Sequence, residues 1–230
     1  MRSTMGTAAV ALALMAGIAT AGAQQTSPQE RVTALKASLA ASQAALQQYE
    51  WIETTAVSLK GAEKSRQEKR CYHGADGKVQ KVPVSATPPP EAKRGVRGRI
   101  VENKKEELTD YMQQAVALVH QYLPPDPARI EASKAAGKLS IVPAGAKVTL
   151  VFADYLKAGD RMSVEVDAAN NRLLGIQVAS YLDSPADAVA LGVGLGALAD
   201  GTTYTARTQL DAPAKGLSVV VENSGYRKAQ

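Results

Sequence analysis

The sequence predicts an α+β fold: a strongly curved antiparallel sheet, a half-barrel of about nine strands in up-and-down meander order, covering an N-terminal helix and one or two inserted helices. Three observations lead there. From residue 148 onward, apolar residues recur with a period of two through six successive runs. Those runs are joined by short turn-type segments, which makes consecutive strands antiparallel neighbours. Nearer the N-terminus, two segments carry apolar residues at helical spacing instead.

The chain opens with the parts of a secretory signal peptide. Arg2 supplies a positive start, Ala8 to Ala19 an apolar run, and Ala21-Gly22-Ala23 a small-x-small cleavage site. The apolar run is nearer a dozen residues than the roughly 20 a membrane span needs. The expected domains are therefore a signal peptide over 1–23 and a single domain over 24–230, in a periplasmic protein cleaved after Ala23. No cysteine follows that site, so no lipid anchor is expected there. Cys71 is the one cysteine, either a small buried hydrophobe or a free thiol.

Ser27-Pro28-Gln29-Glu30 has the form of a helix start, with Ser27 as N-cap and Glu30 three residues on. Val32, Leu35, Leu39, Leu46 and Tyr49 form a stripe that Ser42 interrupts, and the helix is expected to end near Gln48. Tyr49 to Leu59, rich in aromatic and β-branched residues, reads as a strand ended by Gly61. Ser65 to Tyr72 and Lys78 to Val84 read as a hairpin around Gly74-Ala75-Asp76-Gly77. Residues 85–98, broken by prolines and glycines, read as an exposed loop, and 104–137 as a helical insertion. Within the insertion Leu108, Met112, Ala115, Leu118, Val119 and Tyr122 share a face; Pro124-Pro125 stops that helix, and Asp126-Pro127 begins another that closes at Gly137. The strands that follow centre on Val148 to Phe152, Met162 to Val166, Leu174 to Val178, Val189 to Leu195, Tyr204 to Leu210 and Leu217 to Val221.

Charge is uneven. The whole chain carries a formal net charge of +5, yet Lys60 to Lys105 holds 13 Lys/Arg against 5 Asp/Glu. A basic segment of this kind is expected either as a solvated face or as a docking patch for an envelope protein or an anionic membrane surface, with Lys93, Arg94, Arg97 and Arg99 as contact residues. Nucleic acid is not an expected partner of an exported chain without a recognisable binding motif.

Catalytic and cofactor motifs give little. Gly192 to Ala197, GVGLGA, matches the dinucleotide pattern G-x-G-x-x-A, but a turn and a strand follow where that motif needs a helix. Its large residues alternate with glycines, so the segment reads as a strand bare on one face, with the alanine-rich first helix as the element to approach it. Cys71 and His73 would share a strand face, too few for a closed zinc site and with no third group to orient a nucleophile. His120 has no sequence neighbour that completes a site, and Asp154, Asp160, Glu165 and Asp167 read as solvated turn carboxylates. No metal, cofactor or catalytic residue is expected.

The order of elements, with YEWIETTAVSLKG, GDRMSVEVDAANNRLLGI and ALADGTTYTARTQL leading into LSVVVENSGY, resembles the periplasmic lipoprotein-localisation (LolA/LolB-like) superfamily, which includes an envelope-stress sensor domain. The resemblance spans most of residues 28–228. It implies a half-barrel whose concave side encloses an apolar cavity, binding lipid or acylated protein without chemistry. This chain departs from the carriers in having only 4% aromatic residues, with one Phe and one Trp, so a lining would rest on aliphatic residues. No functional residue of the carriers matches a position here. The expected lining is Val148, Leu150, Phe152, Met162, Val164 and Val166, in a non-enzymatic carrier of a hydrophobic ligand or acylated partner. The alternative is an interaction or sensor module docking through its basic 60–105 segment.

Overall fold

A computed structural model of the chain describes residues 28–84 and 96–229; for 28–32 and 96–105 only the backbone is considered. The expected signal peptide and Ser27 lie outside the described residues, as do Lys93, Arg94 and most of the expected loop.

The N-terminal helix α1 (Pro28–Leu46) leads into β1 (Tyr49–Leu59), β2 (Ala62–His73) and β3 (Val79–Pro83). Then come α2 (Val96–Val119) and α3 (Pro127–Ala135). A meander follows: β4 (Leu139–Ala144), β5 (Lys147–Ala153), β6 (Arg161–Asp167), β7 (Arg172–Tyr181), β8 (Ala188–Ala197), β9 (Thr203–Ala212) and β10 (Leu217–Lys228). All ten strands form one open antiparallel sheet in the order β3-β2-β1-β10-β9-β8-β7-β6-β5-β4. The fold is α+β, as the sequence predicts.

Two features of this order matter. The first and last strands close on each other: β1 pairs with β10 from Tyr49↔Lys228 to Leu59↔Leu217. The segment between the two edge strands, β3 and β4, is the one that carries α2 and α3, so the helical insertion joins opposite edges of the sheet. Register shifts at Glu50/Ile52, Val57/Ser58, Glu165/Val166 and Gly194/Leu195 interrupt the ladders. Each such bulge bends its strand and raises the local twist, consistent with a curved half-barrel around the helices.

The tenth strand was not legible in the sequence. β4, LSIVPA, is an edge strand with Ile141 and Val142 about half exposed, so it shows no buried alternation. Its Pro143 lowers the expectation of a strand, yet an edge is where a strand proline is tolerated. Helix α2 begins at Val96, so the last three residues of the expected loop, Val96 to Gly98, are helical instead. Val96 and Ile100 lie four apart, a helical spacing that outweighs the modest cost of Gly98.

The packing of α2 against the sheet rests on polar clamps. Buried Asp160, in the β5–β6 connection, accepts hydrogen bonds from the backbone N–H groups of Tyr155 (2.6 Å), Leu156 (3.0 Å) and Lys157 (2.9 Å). Its other donor is the Tyr122 hydroxyl at 2.5 Å, just beyond the end of α2. Tyr122 is fully buried and also lies 2.8 Å from Ser180 Oγ on β7. Asp160 is therefore a buried structural carboxylate, and its reading as a solvated turn residue is corrected: the Tyr122 hydroxyl and the backbone of Tyr155 to Lys157 close around its side chain while Ala158 and Gly159 stay exposed. On the same helix the Tyr111 hydroxyl donates to Asp187 in the β7–β8 connection (2.7 Å). The N-terminus of α3 is capped by Asp126, whose side chain accepts from Ala128 N–H, and Asp126 N–H donates to the Tyr155 hydroxyl at 2.7 Å.

Asp160→Ala should cost about 3 kcal/mol or more, since several buried donors lose their acceptor together. Urea unfolding followed by circular dichroism reads this as a lower midpoint. Burial, with the Asp187 hydrogen bond, pushes the Tyr111 phenol up to about 12; burial and Asp160 push Tyr122 up as well. A raised phenol favours the folded state fully below its unfolded pKa near 10, and that contribution is lost as pH rises toward the folded value. Thermal stability should therefore fall between pH 10 and 12, and the slope should be shallower in Tyr122→Phe.

Candidate functional site

Register places the expected lining residues in direct opposition. Val148 faces Val166, Leu150 faces Val164, and Phe152 faces Met162 across β5 and β6. All six share one sheet face, and two of the pairs, Phe152–Met162 and Leu150–Val164, lie in rows that cross the sheet. The Phe152–Met162 row continues through Val178, Leu191, Leu210, Val219 and Val57. The Leu150–Val164 row continues through Ile176, Val193, Thr208, Val221 and Thr55, two residues away along every strand.

These adjacent rows differ in burial. Phe152, Met162, Val178, Leu191 and Leu210 are sealed, packing with Ala115, Leu118 and Tyr122 of the α2 region in the main core. Tyr155 completes that packing, with its ring 5.8 Å from Tyr122 and 5.9 Å from Phe152. In the second row only Ile176 is buried; Leu150, Val164, Val193, Thr208, Val221 and Thr55 are half-buried. Val148 and Val166, one pair further along, are half-buried too. The helices thus cover one stripe of the apolar face and leave the neighbouring stripe partly open. Of the six expected residues, Phe152 and Met162 are core, Leu150 and Val164 border it, and Val148 and Val166 lie beyond it.

Helix α1 lies against β9 and β7. Its half-buried Leu35, Leu39, Ala45 and Leu46 flank buried Ser42. Ser42, which in the sequence only interrupts the stripe, is its anchor: its hydroxyl accepts from the N–H of buried Thr203 at the start of β9 (3.0 Å). Tyr49, which the sequence places both on the helix stripe and at the start of the first strand, begins β1 and donates to Asp200 at 2.6 Å. With the Thr202 N–H also donating, this holds the Asp200 carboxyl down at about 2.

The glycine strand is corrected in one respect. GVGLGA lies inside β8, so the context of a dinucleotide fingerprint is absent, as the sequence predicts. But α1 does not pack on its bare face. A Cβ at Gly192 would meet nothing within 4 Å, and one at Gly196 would strike the Tyr204 ring at 2.8 Å. Gly175, Gly192 and Gly194 instead floor an open groove of about 390 Å³, rimmed by Ser163, Glu165, Gln177, Arg207 and Gln209. That groove is on the sheet face away from the core rows.

Cys71 and His73 do share a face of β2. Cys71 is fully buried, and burial pushes its thiol up, the opposite of what an activated nucleophile requires. His73 packs its ring 5.6 Å from Trp51. Arg97 and Arg99 fall in the first turn of α2, while Lys93 and Arg94 lie outside the described residues. Among the described residues no cluster of three or more His, Cys, Asp or Glu side chains is placed to hold a metal, and no helix is long and apolar enough to cross a membrane.

No family model matches the chain, and no curated protein matches it. Solved structures do. The chain is similar to a LolA superfamily protein. That protein, NE2245 of Nitrosomonas europaea, is 7% identical over 85% of this chain and 94% of its own, with a TM-score of 0.38. A DUF1329 family protein from Desulfovibrio piger is 11% identical over 86% of this chain and 93% of its own, with a TM-score of 0.36.

The two rows should respond differently to truncation. Met162→Ala should cost about 2–5 kcal/mol, as a sealed core deletion does. Leu150→Ala and Val193→Ala, at partly exposed positions, should each cost less than about half of that. Equal losses in denaturant unfolding would mean that the second row is core as well.

Proposed function

We propose that the protein is a non-enzymatic periplasmic binding protein that holds a hydrophobic ligand or an acylated partner against the partly open apolar stripe of its sheet. The observation that carries this reading is the second row. Leu150, Val164 and Val193, with Val221 beyond Thr208, are aligned by register, apolar and half-buried, and the first three pack along the border of the sealed core. Isolated exposed apolar residues need no explanation, but a run of partly exposed apolar residues across adjacent strands, here Leu150, Val164 and Val193 around Ile176, supports reading the row as an interaction surface. Its chemistry suits acyl chains: it is aliphatic rather than aromatic, and its one buried member, Ile176, continues into the core. Buried Cys71 with its raised thiol, and His73 packed on Trp51, offer no activated nucleophile, which agrees with binding rather than turnover.

Uptake of a neutral pyrene-labelled monoacylglycerol tests the reading. The full-length mature protein should bind it saturably, and Val164→Trp, which fills the stripe, should lower the affinity by about tenfold, the equivalent of roughly 1.4 kcal/mol. Native mass spectrometry of protein purified from the cell envelope should show a co-purifying lipid or acylated species. No uptake and no co-purifying ligand would sink the carrier reading.

A further inference from the structure

A groove apart from the stripe shares no lining residue with it. Leu59, Lys60, Ala62, Lys64, Glu107, Leu108 and Lys215 line a groove of about 590 Å³ where α2 meets the β1–β2 turn and the β9–β10 connection. Leu59, Ala62 and Leu108 give it an apolar floor. Three lysines, two from the β1–β2 hairpin and one from the β9–β10 connection, stand around that floor, with one carboxylate.

Each lysine is held by its own backbone device. Lys60 sits at positive φ (52°) in the β1–β2 turn, and its N–H donates to Gly216 O at 2.6 Å, tying this turn to the β9–β10 turn. Lys64 is the extra residue of a bulge: Val57 faces Ser65 and Ser58 faces Glu63, so Lys64 has no partner on β1. A bulge re-aims a side chain that regular alternation would place elsewhere. Lys215 closes the short 3₁₀ turn Pro213–Lys215, with its ammonium 5.3 Å from the Tyr111 ring centre and 3.3 Å from Glu107. Glu107 is thus engaged by Lys215, while Lys60 and Lys64 form no ion pair among the described residues. Like charges gathered around one groove repel, and among the described residues its one carboxylate, Glu107, is already paired with Lys215.

We propose that this groove binds a single-chain anionic amphiphile, with its carboxylate or phosphate head between Lys60, Lys64 and Lys215 and its chain along Leu59, Ala62 and Leu108. Two features select this class. The unmatched ammonium groups call for an anion, and the aliphatic floor calls for a chain attached to it. A volume of about 590 Å³ falls within the roughly 300–1,000 Å³ typical of small-molecule sites. The site is separate from the sheet stripe and does not depend on the reading of that stripe.

Methyl NMR of Leu59 and Leu108 in the full-length mature protein reads occupancy of this groove directly. Laurate and dodecyl phosphate, added below their micellar concentrations, should shift both residues saturably. The Lys60→Glu/Lys64→Glu double variant, altered only at exposed positions, should weaken this binding by about tenfold, and raised salt should weaken it as well. Dodecanol and inorganic phosphate, the chain and the head alone, should shift them far less. Equal shifts from dodecanol would overturn the role of the lysines; equal shifts from inorganic phosphate would overturn that of the floor. Laurate binding unchanged in the double variant but lost in Val164→Trp would place the amphiphile on the sheet stripe and overturn the proposal while leaving the stripe's function intact.

Discussion

The carboxylate of Asp160 is where the insertion is fastened to the sheet. Three successive backbone N–H groups and the Tyr122 hydroxyl converge on it out of contact with water. A buried carboxylate is costly unless its lone pairs are filled, and here four donors fill them. The consequence is positional. The insertion starts from one edge strand and returns to the other, so it could cross the sheet at many heights. Tyr122 on Asp160 and Ser180, with Tyr111 on Asp187, fixes one height. That height seals the Phe152–Met162 row and leaves the Leu150–Val164 row partly open. The open stripe is thus set by where the clamps hold α2, more than by the composition of the stripe itself.

The β1–β10 ladder supplies the second constraint. It joins segments at opposite ends of the sequence, so the rows described above run across the whole sheet without a break at the chain termini. It also brings the β1–β2 turn beside the β9–β10 turn, where Lys60 N–H meets Gly216 O. The lysine-rimmed groove is a product of that closure. The molecule therefore presents two surfaces of different chemistry, a half-buried, mainly aliphatic row on the sheet and an apolar groove bordered by three lysines.

How much of this the sequence revealed depended on which signal carried it. Period-two alternation placed β5 to β9 well, because their inward residues are apolar and their turns carry Gly, Asn, Asp or Pro. β1 was legible from its aromatic and β-branched run, with the bounds Tyr49–Leu59 that the structure has. β10 runs on to Lys228, beyond the expected Val221, because its second half is polar and is recognisable as strand only through its pairing with β1. β4 was missed for the same kind of reason: an edge strand with a proline has no buried face to leave a pattern. The six expected residues do share one face by register, but alternation cannot say which members of a face a helix will cover, so Phe152 and Met162 could not be told from Leu150 and Val164. Ser42 and Asp160 were misjudged because their roles come from distant partners, Thr203 and Tyr122. The bulge that frees Lys64 left no mark in the sequence.

The central claim is that the stripe beside the core is a surface for apolar chains. Methyl chemical shifts of the full-length mature protein, followed during titration with an unlabelled neutral monoacylglycerol, test it most directly. The account predicts saturable shifts at Leu150, Val164, Val193 and Val221, with Val189 and Leu191 of the sealed core nearly unmoved. Shifts spread evenly over core and stripe, or none at the stripe while the ligand binds elsewhere, would contradict it.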